Sequence, residues 1–392
     1  MTACCHDDDS PDHPRKELER TIIFYMAAEN SLASFVSSDS SEIASRVQAL
    51  PDGCRVVLYM DDTKSSRICV GTNEMPLQTI KIYDRDVCST DSADMEYVLT
   101  DIFKRYPAKS YGLVMWSHAS GWVFTNGRQA TSAPRRAPRR TFGIDNGART
   151  KSDQGRQMNV TTLANVLSHH PHLDWIFFDA CYMQTIEVAY EMKDVADWIL
   201  GSPAEIPGDG APYDLVLDGM TSHEALPNLI LQTYYDYYVS GLGAMSYAGA
   251  ILSAIKTSEL PALAAATKPL LQRILNGRAL LDCTGIQYYC PLYQSEYFTE
   301  FYDMANVFYT YADEAEFRQW YSAMERAVPY RYLSPRWSSA YARGNMMRVL
   351  DPEHCAAVSM FVPTEFYDNL GWMSNYHKLQ WYDAVGMSVT GW

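Results

Sequence analysis

The segment Trp175–Cys181, with the sequence WIFFDAC, decides how the rest of the chain is interpreted. Its continuous apolar run is typical of a strand buried in a parallel sheet, and a cysteine stands directly after it. A second such run, Tyr111–His118 (YGLVMWSH), ends in a histidine. Ligands bind outside the carboxyl ends of strands in an open parallel sheet, so neighbouring strands would bring His118 and Cys181 together there. An imidazole beside a thiol favours the reactive thiolate; the alternative is a buried cysteine and a structural histidine.

Apolar and β-branched runs predict further strands at Thr21–Ala27, Arg55–Met60 and Leu77–Tyr83. Stretches with a helical period lie between them. In Asp94–Tyr106, for example, the apolar residues recur at spacings of three and four. Strands that alternate with helices predict an α/β fold, in which a mostly parallel sheet has helices on both faces.

Composition divides the chain into three regions. Residues 1–20 are rich in aspartate and are expected to be a solvated tail. Residues 21–220 contain the alternating strands and helices and are expected to form the core. Residues 221–392 are richer in helix-forming and aromatic segments, so we expect a mainly helical region packed on that core. Within this region the apolar run Ala356–Val362 predicts a late strand that returns to the sheet.

The charges and cysteines of the chain exclude several classes of protein. The 392 residues carry a formal net charge of −15, and phosphate backbones repel an acidic chain, so nucleic acid is not an expected partner. No apolar run is long enough to predict a membrane-spanning helix. The 9 cysteines are odd in number and include no C-x₂-C pair, which favours buried thiols over a disulfide framework or a zinc site.

The segment 127–157 departs from this acidic character, because it has eight basic side chains against two acidic ones. Its central part, Ala133–Arg140, contains two prolines and has no periodicity. Such a sequence predicts an exposed, flexible loop. A basic loop is ordinarily a solvated surface or an anion-binding patch.

Five short motifs resemble those of the clostripain-like cysteine peptidases, a family related to caspases, legumains and gingipains. Two of them contain the reactive residues: Trp116–Trp122 (WSHASGW) and Phe178–Met183 (FDACYM). The other three follow the order of the family and are Tyr25–Leu32 (YMAAENSL), Glu187–Glu191 (EVAYE) and Ile206–Tyr213 (IPGDGAPY). The resemblance covers residues 20–215 and implies a caspase-like α/β fold and a cysteine-type endopeptidase activity.

The resemblance also implies roles for individual residues. Cys181 would attack the scissile carbonyl to form a thioester, and His118 would deliver a proton to the leaving amine. The backbone N–H groups of Ala119 and Cys181 would stabilise the oxyanion. Asp179 matches the floor of the first specificity pocket, which implies cleavage after Arg or Lys; the alternative is an aspartate that caps the following helix. Ser202 belongs to a segment that is expected to line this pocket.

The basic segment acquires a further interpretation from the resemblance. Many members of the family are inactive precursors that cut themselves between the histidine and the cysteine. An arginine-rich loop at that place would be a substrate for a site that cleaves after Arg, and the alternative is a plain solvated loop. The candidate cleavage sites are Arg128, Arg135, Arg136, Arg139 and Arg140.

The resemblance implies no cofactor for the chemistry and allows a dependence on calcium, while no metal site is predicted from the sequence. The expected partners are peptides or proteins with basic residues, and a monomer is favoured.

Thr2–Cys4 (TAC) resembles the end of a lipoprotein signal, so Cys4 is a candidate site of lipidation. A secreted, periplasmic or lipid-anchored surface location is therefore expected, and a cytoplasmic chain with an ordinary tail is the alternative.

A second hypothesis is a catalytically inactive surface or periplasmic binding protein on the same fold. It is motivated by Ala119, which stands where the family usually has glycine, and by Pro203 and Ala204, which replace polar residues before the Pro-Gly pair. A third hypothesis is another thiol hydrolase, such as an amidase. Labelling of Cys181 by a thiol probe and cleavage of peptides at Arg or Lys would distinguish the first hypothesis from the second.

Overall fold

A nine-stranded sheet lies at the centre of the computed structural model, which describes residues 16–123, 142–222, 226–240, 248–290 and 301–392. The strands in these residues, numbered along the chain, are β1 (Leu18–Ala27), β2 (Cys54–Asp61), β3 (Ser66–Thr72), β4 (Met75–Ile82), β5 (Ala108–Trp116), β6 (Phe142–Asp145), β7 (Arg156–Met158), β8 (Leu173–Asp179), β9 (Ala196–Gly201), β10 (Ile251–Lys256), β11 (Tyr302–Asp303), β12 (Tyr330–Leu333), β13 (Arg336–Ser338), β14 (Met346–Arg348) and β15 (Ser359–Met360).

Parallel strands in the order β9-β8-β5-β1-β2 form the middle of the sheet. Antiparallel strands extend it at both edges, with β10 and β12 beyond β9 and with β3 and β4 beyond β2. The expected α/β fold is therefore confirmed as a mixed sheet with a parallel centre. The strands β3, β9, β10 and β12 have no counterpart among the predicted runs.

Helices cover both faces of the sheet, as expected. Alternate residues of a strand face opposite sides, so Ile23 and Tyr25 of β1 join one core while Ile22 and Phe24 join the other. The described helices are α1 (Val36–Val47), α2 (Ser92–Arg105), α3 (Val160–Leu167), α4 (Ile186–Glu191), α5 (Tyr213–Thr221), α6 (Leu226–Val239), α7 (Leu260–Ile274), α8 (Met304–Tyr311), α9 (Glu314–Ala327), α10 (Glu365–Asn369), α11 (Met373–Tyr376) and α12 (Gln380–Ala384). Residues of α1, α5 and α6 line the second core, and residues of α2, α3, α4, α7, α8 and α9 line the first.

The predicted late strand Ala356–Val362 is wrong. Only Ser359–Met360 is a strand, β15, and it pairs with β11 outside the large sheet. The carboxylate of Asp303 accepts hydrogen bonds from the backbone N–H groups of Ala356 (2.9 Å) and Ala357 (3.0 Å). Ala357 has a φ of 54°, and a residue in the left-handed region cannot continue an extended run. The apolar residues are buried, but the carboxylate shapes their backbone into a turn.

The second half of the basic segment, residues 142–157, is not a solvated loop. Arg149 forms an ion pair of 2.5 Å with Glu29, and its side chain is 17% exposed. Arg156 pairs with the carboxylate that caps the start of α2. An exposed basic loop is therefore the wrong description of this half, because its arginines neutralise acidic groups that the fold brings to them.

Cysteines in the described part of the chain are free thiols, as the odd count favours. These are Cys54, Cys69, Cys88, Cys181, Cys283, Cys290 and Cys355. Among the helices in the described part of the chain, none is long and apolar enough to cross a bilayer.

Candidate active site

The register of β5 and β8 brings the segments that carry His118 and Cys181 to the same edge of the sheet. Trp116, the last residue of β5, is paired with Asp179, the last residue of β8, and each reactive residue stands two positions further along. Neighbouring strands are about 4.8 Å apart, so both segments leave the sheet together at its carboxyl edge. The N–H group of Gly143 donates to His118 O at 2.8 Å and fixes the histidine loop against β6.

The imidazole of His118 is held by the loop that follows β1. Ser31 Oγ and His118 Nε2 are 2.7 Å apart and share a hydrogen bond. The loop is itself fixed by Asn30, whose side-chain amide donates to the carbonyl groups of Ala27 (2.9 Å) and Ile144 (3.0 Å). The motif with the sequence YMAAENSL therefore orients the histidine.

A strained turn presents Cys181. The next residue, Tyr182, has a φ of 62°, in a region that residues other than glycine rarely occupy. Hydrogen bonds from Tyr182 N to Ala204 O (3.0 Å) and from Gln184 N to Ser202 O (3.0 Å) hold the turn in this shape. Such strain persists only where surrounding contacts determine it, and it is concentrated at functional sites.

The segment after β9 passes next to the thiol. Ile206 N lies 3.5 Å from Cys181 Sγ. Ser202 is buried, and its hydroxyl oxygen accepts a hydrogen bond from Ala204 N at 3.0 Å. The predicted pocket residue Ser202 thus shapes the backbone that passes the thiol.

The histidine loop and the cysteine turn pack against each other at Gly121. This glycine has a φ of 71°, and a methyl group there would lie 2.8 Å from the ring of Phe301 and 3.1 Å from Tyr182 O. The ring of Tyr182 stacks on that of Phe301 at a centroid distance of 4.9 Å. Glycine is needed at this position because any side chain would push the two segments apart.

Gln184 ties the cysteine turn to the antiparallel edge of the sheet. Its side-chain amide donates to Ile199 O of β9 at 3.2 Å and to Ser253 O of β10 at 2.9 Å. The backbone carbonyl oxygen of Gln184 accepts a hydrogen bond from Ser359 N at 3.0 Å. The turn that carries the cysteine is therefore braced by strands from the C-terminal region.

Asp179 does not cap the following helix, so that alternative is wrong. The N-cap of α4 is Thr185, and its hydroxyl oxygen accepts from a backbone N–H group of the helix. Asp179 Oδ2 instead accepts hydrogen bonds from Ala211 N at 3.0 Å and from the Tyr213 hydroxyl at 2.5 Å. Burial raises the pKa of Asp179 to about 6, and these two hydrogen bonds oppose the rise.

The motif IPGDGAPY covers this carboxyl group. Gly210 has a φ of 64°, and a methyl group there would lie 2.7 Å from Asp179 Oδ2. The carbonyl oxygen of Gly210 accepts a hydrogen bond from the Tyr238 hydroxyl at 2.7 Å. The motif therefore forms a wall of backbone around Asp179.

The remaining predicted site residues fall into two groups. Ala119 forms an isolated antiparallel bridge with Phe142, which fixes its backbone beside His118. The candidate lipidation and cleavage residues lie outside the described residues, and they are Cys4, Arg128, Arg135, Arg136, Arg139 and Arg140.

Two clusters in the described residues have the spacing of metal ligands. In the first, Glu29, Asp61 and Asp86, the guanidinium of Arg149 already supplies the positive charge through ion pairs with all three carboxylates. The second cluster consists of Cys88, Asp145 and Asp153. Calcium takes six to eight oxygen ligands, and burial raises the pKa of the Cys88 thiol, so this sulfur-containing set does not fit calcium.

Three residues of the site were not singled out from the sequence: Ser31, Gln184 and Tyr213. Ser31 and Tyr213 lie inside quoted motifs, but their partners are 87 and 34 residues away along the chain. Gln184 lies between two motifs. Hydrogen bonds over such separations leave no periodic signal, so only the motifs pointed towards these residues.

Two neighbouring parallel strands carry a hydrogen-bonded histidine and a cysteine on a strained turn at one edge of the sheet, an arrangement typical of thiol hydrolases. The chain belongs to the clostripain family (Peptidase_C11), which it matches over residues 24–390. The resemblance inferred from the five motifs is thereby confirmed.

Solved structures and a curated protein are similar to this chain. A secreted C11 cysteine protease from Bacteroides thetaiotaomicron, in complex with an irreversible peptide inhibitor, has a TM-score of 0.80 and 30% identity over 94% of this chain and 99% of its own. An inactive zymogen C11 protease from Parabacteroides distasonis has a TM-score of 0.75 and 27% identity over 95% and 99%. Clostripain from Hathewaya histolytica is 23% identical over 239 residues, which is 53% of this chain and 43% of that relative. The match thus spans less than half of the curated relative.

Proposed function

We propose that the chain hydrolyses peptide bonds through a dyad of Cys181 and His118 and a thioester intermediate. The observation that carries the proposal is the register of β5 and β8, because it brings both residues to one edge of the sheet. The thiolate of Cys181 attacks the scissile carbonyl carbon, and His118 passes a proton to the leaving amine. Water then hydrolyses the thioester and regenerates the thiol. The backbone N–H groups of Ala119 and Cys181 are the proposed oxyanion donors.

A preference for Arg or Lys before the scissile bond is supported by Asp179. Its carboxyl group is buried beside the cysteine turn, and a buried carboxylate there favours a cationic side chain. Ser202 contributes by holding the backbone of the segment that passes Cys181. Peptides and proteins with basic residues are thus the proposed substrates.

Digestion of a peptide library by the wild type and by Cys181→Ala tests this function. We expect cuts after Arg or Lys in the wild type and a loss of about 10⁴-fold or more in the variant, because nothing else replaces the nucleophile. Cys283→Ala, which removes another half-buried thiol, is the matched control and is expected to retain activity. Cleavage that persists in Cys181→Ala, or cuts that ignore the preceding residue, would contradict the proposal.

Self-processing in the basic segment is the second part of the proposal. It is supported by the arginine-rich sequence before Phe142 and by a relative that was solved as an inactive zymogen. The ion pairs of Arg149 and Arg156 argue against cuts in the second half of the segment.

Mass spectrometry after incubation is expected to show wild-type cuts after one or more of five arginines, and no cut in Cys181→Ala. The expected sites are Arg128, Arg135, Arg136, Arg139 and Arg140. An uncut wild-type chain with full activity would show that the segment is an ordinary loop.

The proposal has three further parts, which are the location of the protein, its assembly and its dependence on calcium. The secreted relative supports a secreted or cell-surface location, with Cys4 as the candidate anchor. A monomer is the proposed assembly. A dependence on calcium is supported by the family alone, because neither ligand cluster described above fits that ion.

A further inference from the structure

Residues 142–149, which we call the clip, join the two loops that hold the imidazole of His118. At one end of the clip, Gly143 N donates to His118 O at 2.8 Å. Further along, Asn146 N donates to Glu29 O at 2.8 Å. Glu29 belongs to the loop after β1, which orients the imidazole. The clip therefore contacts both the backbone of the histidine and the loop that holds its ring.

A buried ion pair fastens the far end of the clip. Arg149 Nε donates to Glu29 Oε2 at 2.5 Å, and Arg149 N donates to Glu29 Oε1 at 2.8 Å. The side chain of Glu29 is fully buried. The same guanidinium also pairs with Asp61 and, at 2.7 Å, with Asp86. Charge-assisted hydrogen bonds are roughly twice as strong as neutral ones, so both carboxylate oxygens of Glu29 are held in place.

Ser31 depends on this anchor because its own side chain is exposed. An exposed hydroxyl group is placed by the backbone that carries it and by its hydrogen bonds, since little packs against it. That backbone follows Glu29 and Asn30, which are 1% and 6% exposed, and Asn30 donates to Ile144 O of the clip at 3.0 Å. The position of Ser31 Oγ, 2.7 Å from His118 Nε2, is therefore set by residues that the clip holds.

We propose that Glu29 and Arg149 are positioning residues of the dyad and act on His118 through Ser31. This inference rests on the proposed role of His118 in peptide-bond hydrolysis. The ion pair holds the loop, and the loop holds the hydroxyl group that orients the imidazole. Proton transfer to the leaving amine requires a narrow range of imidazole positions, so a small displacement of the loop lowers the rate although the dyad itself is intact.

Glu29→Gln and Asp86→Asn form a matched pair of variants that tests this inference. Each removes one carboxylate partner of Arg149 with the same change of charge, but only Glu29 belongs to the loop of Ser31. We expect Glu29→Gln to lower kcat about 10-fold with little change in KM, because the imidazole is displaced while substrate binding is kept. Alkylation of Cys181 by iodoacetamide is expected to slow in Glu29→Gln as well. Asp86→Asn is expected to keep the wild-type kcat and alkylation rate.

Both variants are expected to stay folded, with a Tm close to that of the wild type. Three carboxylates surround one guanidinium, so the loss of one carboxylate relieves repulsion between the other two and their neighbour. An equal loss of kcat in Asp86→Asn would show that the ion cluster only supports the fold, and it would overturn the inference.

A double-mutant cycle with Ser31→Ala separates positioning from general structural support. If Glu29 acts through Ser31, the variant with both substitutions is expected to lose about 10-fold in kcat, which is no more than either single variant loses. Independent effects would multiply to about 100-fold, and that result would contradict the inference.

Arg149→Lys tests the other member of the pair. Lysine keeps the positive charge among the carboxylates but lacks the planar fork that donates to Glu29 and Asp61 at once, so we expect kcat to fall about 10-fold. Arg156→Lys is the control, because this arginine of the same segment pairs with the cap of α2 instead. Wild-type kcat in Glu29→Gln and Arg149→Lys would overturn the positioning role and leave the dyad intact. The dyad itself is judged separately, by the activity of His118→Ala.

Discussion

Replacing His118 with alanine is expected to lower kcat/KM by about 10³-fold or more. The leaving amine then lacks its proton donor, and the thiol of Cys181 loses the neighbouring imidazole that favours the thiolate. The rate of Cys181 alkylation by iodoacetamide at neutral pH is expected to fall in the same variant. Ser31→Ala is expected to cause a smaller loss, of about 10-fold, because Ser31 only orients the imidazole through the 2.7 Å hydrogen bond.

Two other histidines provide matched controls for this experiment. His169 and His172 are exposed and pair with Glu96 and Asp197 at the amino end of β8, away from the candidate site. His169→Ala and His172→Ala are therefore expected to keep wild-type activity and alkylation rates. Activity and labelling of His118→Ala within about threefold of the wild type would exclude His118 from the dyad.

Replacing Asp179 with asparagine is expected to lower kcat/KM for Arg and Lys substrates by about 100-fold, because the proposed preference for a cation depends on this buried negative charge. Hydrolysis of a citrulline peptide is expected to change little. The asparagine oxygen can still accept the hydrogen bonds from Ala211 N and the Tyr213 hydroxyl, so the surrounding segment keeps its shape. The exposed Asp197→Asn of β9 is the control and is expected to retain the preference. Undiminished cleavage after Arg and Lys in Asp179→Asn would exclude Asp179 as the pocket floor.

The substitution Asp179→Asn is also expected to change how the stability of the protein depends on pH. Burial raises the pKa of Asp179 from 3.8 to about 6, so the folded wild type holds this proton more tightly than the unfolded chain. Asp179 therefore lowers the stability of the wild type as the pH rises through this interval, and this contribution is missing in Asp179→Asn. The difference in Tm between variant and wild type is expected to be more positive at pH 8 than at pH 4. An equal difference at both pH values would mean that this carboxyl group does not titrate in that interval.

Four of the five parallel strands, β1, β2, β5 and β8, were predictable because they are long apolar runs. His118 and Cys181 could be placed from the sequence, since each stands directly after such a run. The strands β3, β9, β10 and β12 were missed because charged or small residues interrupt their apolar runs. Ala356–Val362 misled the prediction because apolar composition reports burial, while the carboxylate of Asp303 decides the backbone shape.

The surroundings of Asp179 were only half predictable. Asp179 stands in a motif, whereas the hydroxyl group that donates to it belongs to Tyr213, which is 34 residues away along the chain. Arg149 shows the same limit, because its charge predicts a surface loop and its partners place it among buried acids. The division of the chain into a core of residues 21–220 and a region of residues 221–392 stays a prediction.

The pairing of β5 with β8 has a consequence for a chain that is cut between His118 and Phe142. The first fragment would carry β1 to β5 and His118, and the second would carry β8 to β10 and Cys181. Because the fragments are neighbours in one buried sheet, they would remain associated without a covalent link. A nicked molecule would elute as a single species and separate into two bands only under denaturing conditions. Its dyad would then span two polypeptides, as in a heterodimeric enzyme, and dilution alone would not switch it off.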